Sequence, residues 1–144
     1  MTLRPEESLG YQINLLARLF EHALRRKIAS HGVVPGQFPA LLTLYDEDGL
    51  TQAELTRRVS IEQPTMANTL KRMERDGLIR RVPDAHDRRR IRIHLTARAK
   101  ALERPLTTAA REINAHATEG LHDAERSALQ HAIARVMSNL ENRA

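Results

Sequence analysis

Cysteine is absent from this chain of 144 residues, and so is tryptophan. Without cysteine the protein can form neither a disulfide nor a thiolate zinc site, and it has no thiol with which to sense an oxidant. Aromatic side chains are limited to two Phe and two Tyr, which leaves little capacity for stacking on a flat ligand. These absences exclude disulfide scaffolds and cysteine-based redox regulators.

Long hydrophobic runs are also missing. No apolar stretch approaches the roughly 20 residues that a membrane-spanning helix needs. The N-terminal segment, in which Arg4 is the only early cation, lacks the apolar core of a signal peptide. Hydrophobic residues make up 41% and charged residues 28%, as in a helical protein of about one domain. We therefore expect a cytoplasmic protein with no membrane partner.

Positive charge is concentrated in one part of the chain. The net charge is +5, and residues 51–100 contain thirteen Lys and Arg against six Asp and Glu, whereas the remainder contains ten against twelve. A basic patch on an otherwise nearly neutral protein indicates a polyanionic partner. Because these cations are not laid along an amphipathic helix, as a membrane-surface segment requires, nucleic acid is favoured.

The basic region begins with the pattern of a helix-turn-helix. Thr51 and Glu54 predict a capping box, in which the Thr51 hydroxyl accepts from the Glu54 N–H and the Glu54 carboxylate reaches back to the Thr51 N–H. The same short helix has a small apolar face, formed by Ala53, Leu55 and Val59. Residues 60–63 break the pattern, and Pro64 suits the first turn of a second helix.

The second helix has two different faces. Met66, Leu70 and Met73 recur at spacings that predict one buried stripe, and Gly77 is placed to end the helix. Small polar side chains and a cation lie largely on the other side, namely Thr65, Asn68, Thr69 and Arg72. Such a face suits a major groove, because Asn bonds adenine and Arg bonds guanine. For this helix in isolation, an ordinary solvated face is an equal alternative.

A β-hairpin with a cationic tip is predicted next. Short apolar runs with period-two alternation flank a polar loop, the first formed by Leu78, Ile79 and Val82 and the second by Ile91, Ile93 and Leu95. Arg88, Arg89 and Arg90 stand at the tip, where arginines can enter a narrow minor groove. Asp87 is interpreted as a partner that orients one of them. The alternative is a charged solvent loop.

Two segments carry a resemblance to a known family. IEQPTMANTLKRMERDGLI and DAHDRRRIRIHLT resemble the DNA-binding core of the MarR family, and most closely its SlyA-like branch. The resemblance implies a homodimeric winged-helix transcriptional regulator with recognition contacts at Pro64, Thr65, Asn68, Thr69 and Arg72, and a minor-groove arginine at Arg89. The chain departs from the SlyA-like pattern at Asn68, where arginine is common, and at His86 in the wing.

Amphipathic helices flank this core. Periodic apolar residues predict one helix from Ser8 to about Ser30, another that Thr96 caps and that reaches toward Glu119, and a last one over residues 123–142. The fold class is thus mainly α with a small β-hairpin. We assign residues 1–34 and 97–144 to dimerisation and residues 35–96 to DNA binding. A two-fold dimer would present its recognition helices to half-sites roughly 34 Å apart. The alternative is that the flanking helices fold back on their own chain.

Proteins of the resembled family are often controlled by small aromatic or lipophilic compounds. The residues that could line such a pocket here are Arg18, His22, Phe38 and Tyr45. The alternative is that all four belong to the core or the surface. We expect no metal and no cofactor.

Other functional classes fit the sequence less well. The seven histidines show no HExxH spacing, and neither a nucleophile elbow nor a glycine-rich phosphate loop is present, so we predict that the chain is not an enzyme. A zinc-dependent regulator lacks clustered ligands. A protein-interaction module does not need an arginine wing tip. The sequence predicts a DNA-binding transcriptional repressor that binds an imperfect palindrome; the main alternative is a sequence-neutral architectural DNA-binding protein.

Overall fold

The computed structural model describes residues 1–142, which fall into two compact units, Met1–Ala110 and the segment from Arg111 onward. These residues form, in order, α1 (Leu9–Ile28), α2 (Phe38–Asp46), β1 (Leu50–Thr51), α3 (Gln52–Val59), α4 (Gln63–Arg75), β2 (Ile79–Pro83), β3 (Ile91–Leu95), α5 (Ala97–Ala117) and α6 (Asp123–Glu141). Short 3₁₀ turns span Pro5–Glu7, Ala29–His31 and Pro35–Gln37. The predicted class, mainly α with a winged helix-turn-helix, is confirmed.

Helix α1 joins the core only at its C-terminal end. The Ser8 hydroxyl accepts from the backbone N–H of Tyr11 at 3.2 Å and caps its start, while Gly32, with φ of 73°, closes the turn that follows. Phe20 is half-buried and Ile28 is fully buried. The apolar residues toward its N-terminus are exposed, namely Leu9, Ile13, Leu16 and Leu19. Much of this apolar face therefore remains exposed within the first unit.

Helix α3 confirms half of the predicted capping box. The Thr51 hydroxyl oxygen accepts from the Glu54 N–H at 3.2 Å, as predicted. The return bond is different, because the Glu54 carboxylate accepts from the Thr51 hydroxyl at 3.0 Å and not from its backbone. The predicted apolar face also needs correction: Leu55 is buried and Val59 half-buried, but Ala53 is exposed because it lies on the outer side of the first turn.

Helix α4 packs as its sequence predicts. Met66, Leu70 and Met73 are fully buried in the hydrophobic core. Gly77, with φ of 74°, follows the helix and allows the Leu78 N–H to donate to the Met73 carbonyl at 2.8 Å. This is a Schellman ending, which satisfies carbonyls that the last turn would otherwise leave unpaired.

The predicted hairpin is confirmed and is extended by one strand. Strands β2 and β3 are antiparallel, with Ile79 opposite Leu95 and Arg81 opposite Ile93. The two-residue strand β1 pairs with the other edge of β3, with Leu50 opposite Ile93. Because β1 is so short, it leaves no periodic signal in the sequence. It fixes the wing to the segment that starts α3.

The last two helices follow the predicted pattern with small shifts in their bounds. The Thr96 hydroxyl accepts from the Ala99 N–H at 3.1 Å, which is the predicted cap of α5. In the second unit, the apolar residues of α6 stay exposed, namely Leu129, Ile133, Met137 and Leu140. None of the helices within residues 1–142 is both long enough and apolar enough to cross a membrane.

Candidate nucleic-acid interface

Helix α4 presents most of its predicted recognition residues to solvent. Pro64 lies in its first turn, Thr65, Asn68 and Arg72 are exposed, and Thr69 is half-buried. Asn68 and Arg72 also line a shallow cleft of about 350 Å³, whose other lining residues are Lys71 and Arg75. The face therefore combines hydrogen-bonding groups suited to base edges with positive charge suited to phosphates.

The C-terminal end of α4 is anchored by polar contacts. The buried Gln37 amide donates to Asp76 Oδ2 at 2.9 Å, and its oxygen accepts from the Val34 N–H at 3.2 Å. Arg98 donates to the carbonyls of Asp76, at 2.7 Å, and of His31, at 3.0 Å. The Gln37 hydrogen bond, aided by nearby arginines, lowers the pKa of Asp76. These contacts tie the exit of α4 to the segment after α1 and to the first turn of α5.

The wing tip contains the predicted arginine–aspartate contact. Asp87 Oδ1 accepts from the backbone N–H of Arg89 at 3.1 Å and from its Nε at 3.2 Å. Arg90 Nε lies 3.9 Å from the other carboxylate oxygen. The Arg89 side chain is nevertheless 92% exposed. Asp87 thus orients Arg89 without covering it, while Arg88 makes no ion pair with any residue in the described range.

Asp84 holds the wing together from inside, a role that was not predicted. It is only 6% exposed, and its carboxylate accepts from the His86 N–H at 2.7 Å, from the Asp87 N–H at 3.3 Å and from Arg92 Nε at 2.8 Å. Arg92 in turn donates to the Gly49 carbonyl at 2.8 Å. These donors, the His86 N–H foremost, lower the pKa of Asp84. The loop is therefore fixed to β3 and to the segment before β1.

A second cleft separates α3 from the wing. Its volume is about 460 Å³. It is lined by Thr51, Gln52, Ala53, Glu54, Arg57, Arg89, Arg90 and Ile91. Three arginines and one glutamate leave this cleft net positive.

Comparison with known proteins identifies the family. The sequence profile of the MarR family matches residues 31–90, which extend from the 3₁₀ turn after α1 to the wing tip. The chain belongs to the MarR family. The prediction made from the turn, helix-exit and wing motifs is confirmed at this level, and the SlyA-like branch stays a prediction.

Relatives of this MarR-family chain are named as transcriptional regulators. The regulator TtmR of Methylorubrum extorquens strain PA1 is 32% identical over 98 residues, which cover 68% of this chain and 50% of TtmR. The repressor NicR of Pseudomonas putida strain KT2440 is 29% identical over 106 residues, 74% of this chain and 67% of NicR. The matched region is thus half the length of TtmR.

A solved structure extends the similarity along nearly the whole MarR-family chain. A MarR transcriptional regulator from Methanosarcina mazei Go1 superposes with a TM-score of 0.86 at 29% identity, covering 94% of this chain and 98% of that one. The helices outside the matched profile therefore also belong to the shared fold.

The residues predicted to line a ligand pocket do not meet in either cleft of this MarR-family chain. Arg18 and His22 are exposed on α1, whereas Phe38 is buried in the core. The Tyr45 hydroxyl donates to the Ala99 carbonyl at 2.6 Å, and burial raises its pKa to about 12. The pocket stays a prediction, with Phe38 and Tyr45 already engaged in packing and hydrogen bonding. Among residues 1–142, no group of three or more potential ligands could hold a metal ion.

Proposed function

We propose that this chain is a sequence-specific DNA-binding repressor of transcription that binds an imperfect palindrome as a homodimer. One observation supports this most directly: α4 exposes Thr65, Asn68 and Arg72, and the wing tip exposes Arg89. The relatives named above are regulators and not enzymes, in keeping with a non-catalytic role. The name of NicR supports the choice of repressor.

Base recognition is assigned to α4. In the major groove, the Asn68 amide can bond both edges of an adenine, and the Arg72 guanidinium can bond guanine O6 and N7. Thr65 and Thr69 supply hydroxyls for a base edge or a phosphate. A face made only of cations would grip phosphates without distinguishing sequence. The mixture of amide, hydroxyl and guanidinium groups is the reason to prefer a sequence-specific regulator over an architectural protein.

The wing is assigned to the minor groove. Because Asp87 holds the Arg89 backbone and side chain, the arginine is pre-organised before DNA arrives. A guanidinium in that position is attracted by the negative potential of narrow A·T tracts. We therefore place Arg89 at the outer, A·T-rich positions of the site.

Dimerisation is assigned to residues 1–34 and 97–144, of which residues 143 and 144 lie outside the described range. In the first unit, Leu9, Ile13 and Leu16 of α1 are exposed, and in the second unit an apolar row on α6 is exposed. Apolar surfaces of this kind usually mark an interface. Burial against a second copy would give a two-fold pair of recognition helices matched to half-sites about one DNA turn apart.

We also propose that a small aromatic or lipophilic ligand releases the repressor from DNA. This part rests on Arg18 and His22 remaining exposed on α1. Adding such compounds to the protein–DNA complex and measuring DNA affinity tests this part separately.

Selection from random duplexes is the experiment that tests DNA recognition. The proposal predicts enrichment of an imperfect palindrome whose half-sites are centred about 10 base pairs apart, with A·T pairs at the outer positions. Sedimentation of the complex should show two chains per duplex. No enriched sequence, despite binding to every duplex, would reject the repressor and support the architectural alternative.

A further inference from the structure

We propose that Arg57, on the first helix of the helix-turn-helix, binds a DNA phosphate in the cleft between α3 and the wing. The inference rests on the proposed function and adds a contact outside both the recognition helix and the wing tip. It assigns the cleft to one strand of the DNA backbone, passing between α3 on one side and the arginine-rich loop on the other.

The shape and charge of the cleft fit a phosphodiester backbone. The space is about 460 Å³, and its lining includes Arg57 of α3 and Arg89 and Arg90 of the wing. With the wing tip in the minor groove, a DNA backbone that borders that groove would pass close to these residues. Phosphates attract guanidinium groups through charge-assisted and often bidentate hydrogen bonds. Three such groups around one cleft suit an extended anion.

The acidic groups near the cleft are engaged with residues other than Arg57. Glu54 is the only acid among the lining residues, and its carboxylate already accepts from the Thr51 hydroxyl at 3.0 Å. Asp87 is engaged with Arg89 at 3.2 Å and lies 3.9 Å from Arg90. Arg57 itself is exposed and makes no ion pair or side-chain hydrogen bond with any residue between 1 and 142. Its guanidinium is therefore the cation of the cleft that is left for an external anion.

The neighbouring residue, Arg58, has a structural role on the same helix. Arg58 donates to Asp46 Oδ2 at 2.9 Å and to Glu47 Oε1 at 3.1 Å, and so joins α3 to the end of α2. Arg57 and Arg58 are adjacent and alike in chemistry, but only Arg58 has acidic partners. Arg58 is thus a matched control for the loss of one positive charge from α3.

Binding titrations across a salt series test the role of Arg57. The variants are Arg57→Ala, Arg57→Gln, Arg57→Lys and Arg58→Ala, each measured on a selected duplex and on a scrambled one. Loss of a phosphate contact weakens binding to all sequences alike and lowers the salt slope by about one per protomer. We expect Arg57→Ala and Arg57→Gln to lose about tenfold in affinity on both duplexes at low salt. Arg57→Lys should keep most of the slope, and Arg58→Ala should change the slope little.

Several outcomes would overturn the assignment. An unchanged affinity and salt slope in Arg57→Ala and Arg57→Gln would show that the cleft does not hold a phosphate. Equal losses of affinity in Arg57→Ala and Arg58→Ala would mean that the effect comes from the net charge of α3 and not from a specific phosphate contact. A loss confined to the selected duplex would mean that Arg57 contacts a base. Failure of the proposed function is separate, because it appears in the parent protein as equal affinity for selected and scrambled duplexes.

Discussion

Helix α4 and the wing are positioned by different interactions. Helix α4 is held by three fully buried apolar side chains, Met66, Leu70 and Met73. The wing loop is held by directed polar contacts centred on Asp84 and Arg92, with Asp87 holding the tip. Apolar burial is strong but non-directional, whereas hydrogen bonds fix the direction of a group. Substitutions in the apolar packing of α4 should lower the stability of the fold. Substitutions in the polar contacts of the wing should leave the arginine at its tip without a fixed orientation.

The largest expected effect is on the stability of the packed helix. Leu70→Ala should lower the free energy of unfolding by about 2–5 kcal/mol, because a fully buried side chain leaves a cavity. Urea unfolding measures the change. The exposed neighbour supplies a control, since Lys71→Ala should stay within about 0.5 kcal/mol of the parent. Similar losses in both variants would contradict the packing described for α4.

Substitutions on the exposed side of α4 should change the preference for particular DNA bases without changing the stability of the fold. Asn68→Ala should remove about 1–3 kcal/mol of preference for one base in each half-site, because a bidentate amide–adenine contact is lost. A base-by-base binding survey measures this preference. Lys71→Ala is again the control, and it should weaken binding to all DNA sequences alike. An unchanged base preference in Asn68→Ala would remove this residue from the recognition face.

DNA affinity should fall when the wing loses the arginine at its tip, and also when it loses the buried aspartate that supports the loop. Arg89→Ala should cost about tenfold in affinity, with the loss concentrated at the outer A·T-rich positions. Asp84→Asn should reproduce part of that loss although Asp84 is buried and cannot touch DNA, because the loop is no longer tied to Arg92. Binding titrations and footprints of duplexes that differ only at the outer positions measure both effects.

Arg88→Ala is the matched control for the wing. Its side chain has no acidic partner within the described residues, so its removal should weaken binding to all duplexes evenly. Unchanged affinity and footprint in Asp84→Asn would contradict a supporting role for Asp84. The same footprint in Arg88→Ala and Arg89→Ala would contradict the placement of Arg89 in the minor groove.

The smallest effect concerns the anchor at the end of α4. The pKa of Asp76 is lowered from its ordinary value of 3.8, so the folded state favours the charged carboxylate. The stabilisation is therefore present above pH 3.8 and is lost as the pH falls through the lower pKa of the folded protein. Urea unfolding should show the parent more stable than Asp76→Asn at pH 6, with the difference shrinking toward pH 2. A difference independent of pH would contradict this.

The contrast between α4 and the wing also explains how much could be predicted from the sequence. The buried stripe of α4, its ending at Gly77 and the Thr96 cap of α5 are local features that recur with helical spacing or lie next to a helix end. They were predicted and are confirmed. The misjudged exposure of Ala53 shows the limit of a short pattern, since an eight-residue helix gives too few apolar positions to define its inner face.

The supports of the candidate site depend on contacts between distant residues. Arg92 donates a hydrogen bond to the carbonyl of Gly49, which lies 43 positions away in the sequence. Gln37 donates one to Asp76, which lies 39 positions away. No local spacing distinguishes these residues from other surface polar residues. The acidic partners of Arg58 likewise become visible only once α3 lies against the end of α2, so the contrast with Arg57 could not be drawn from the sequence.

The most direct test of sequence-specific binding is an equilibrium titration of the selected duplex and of its scrambled version at several salt concentrations. We expect a preference of about 10³ or more for the selected duplex at physiological salt, at two chains per duplex. Equal affinities with a steep salt dependence would mean that the protein grips phosphates alone, and would contradict the assignment of base recognition to α4.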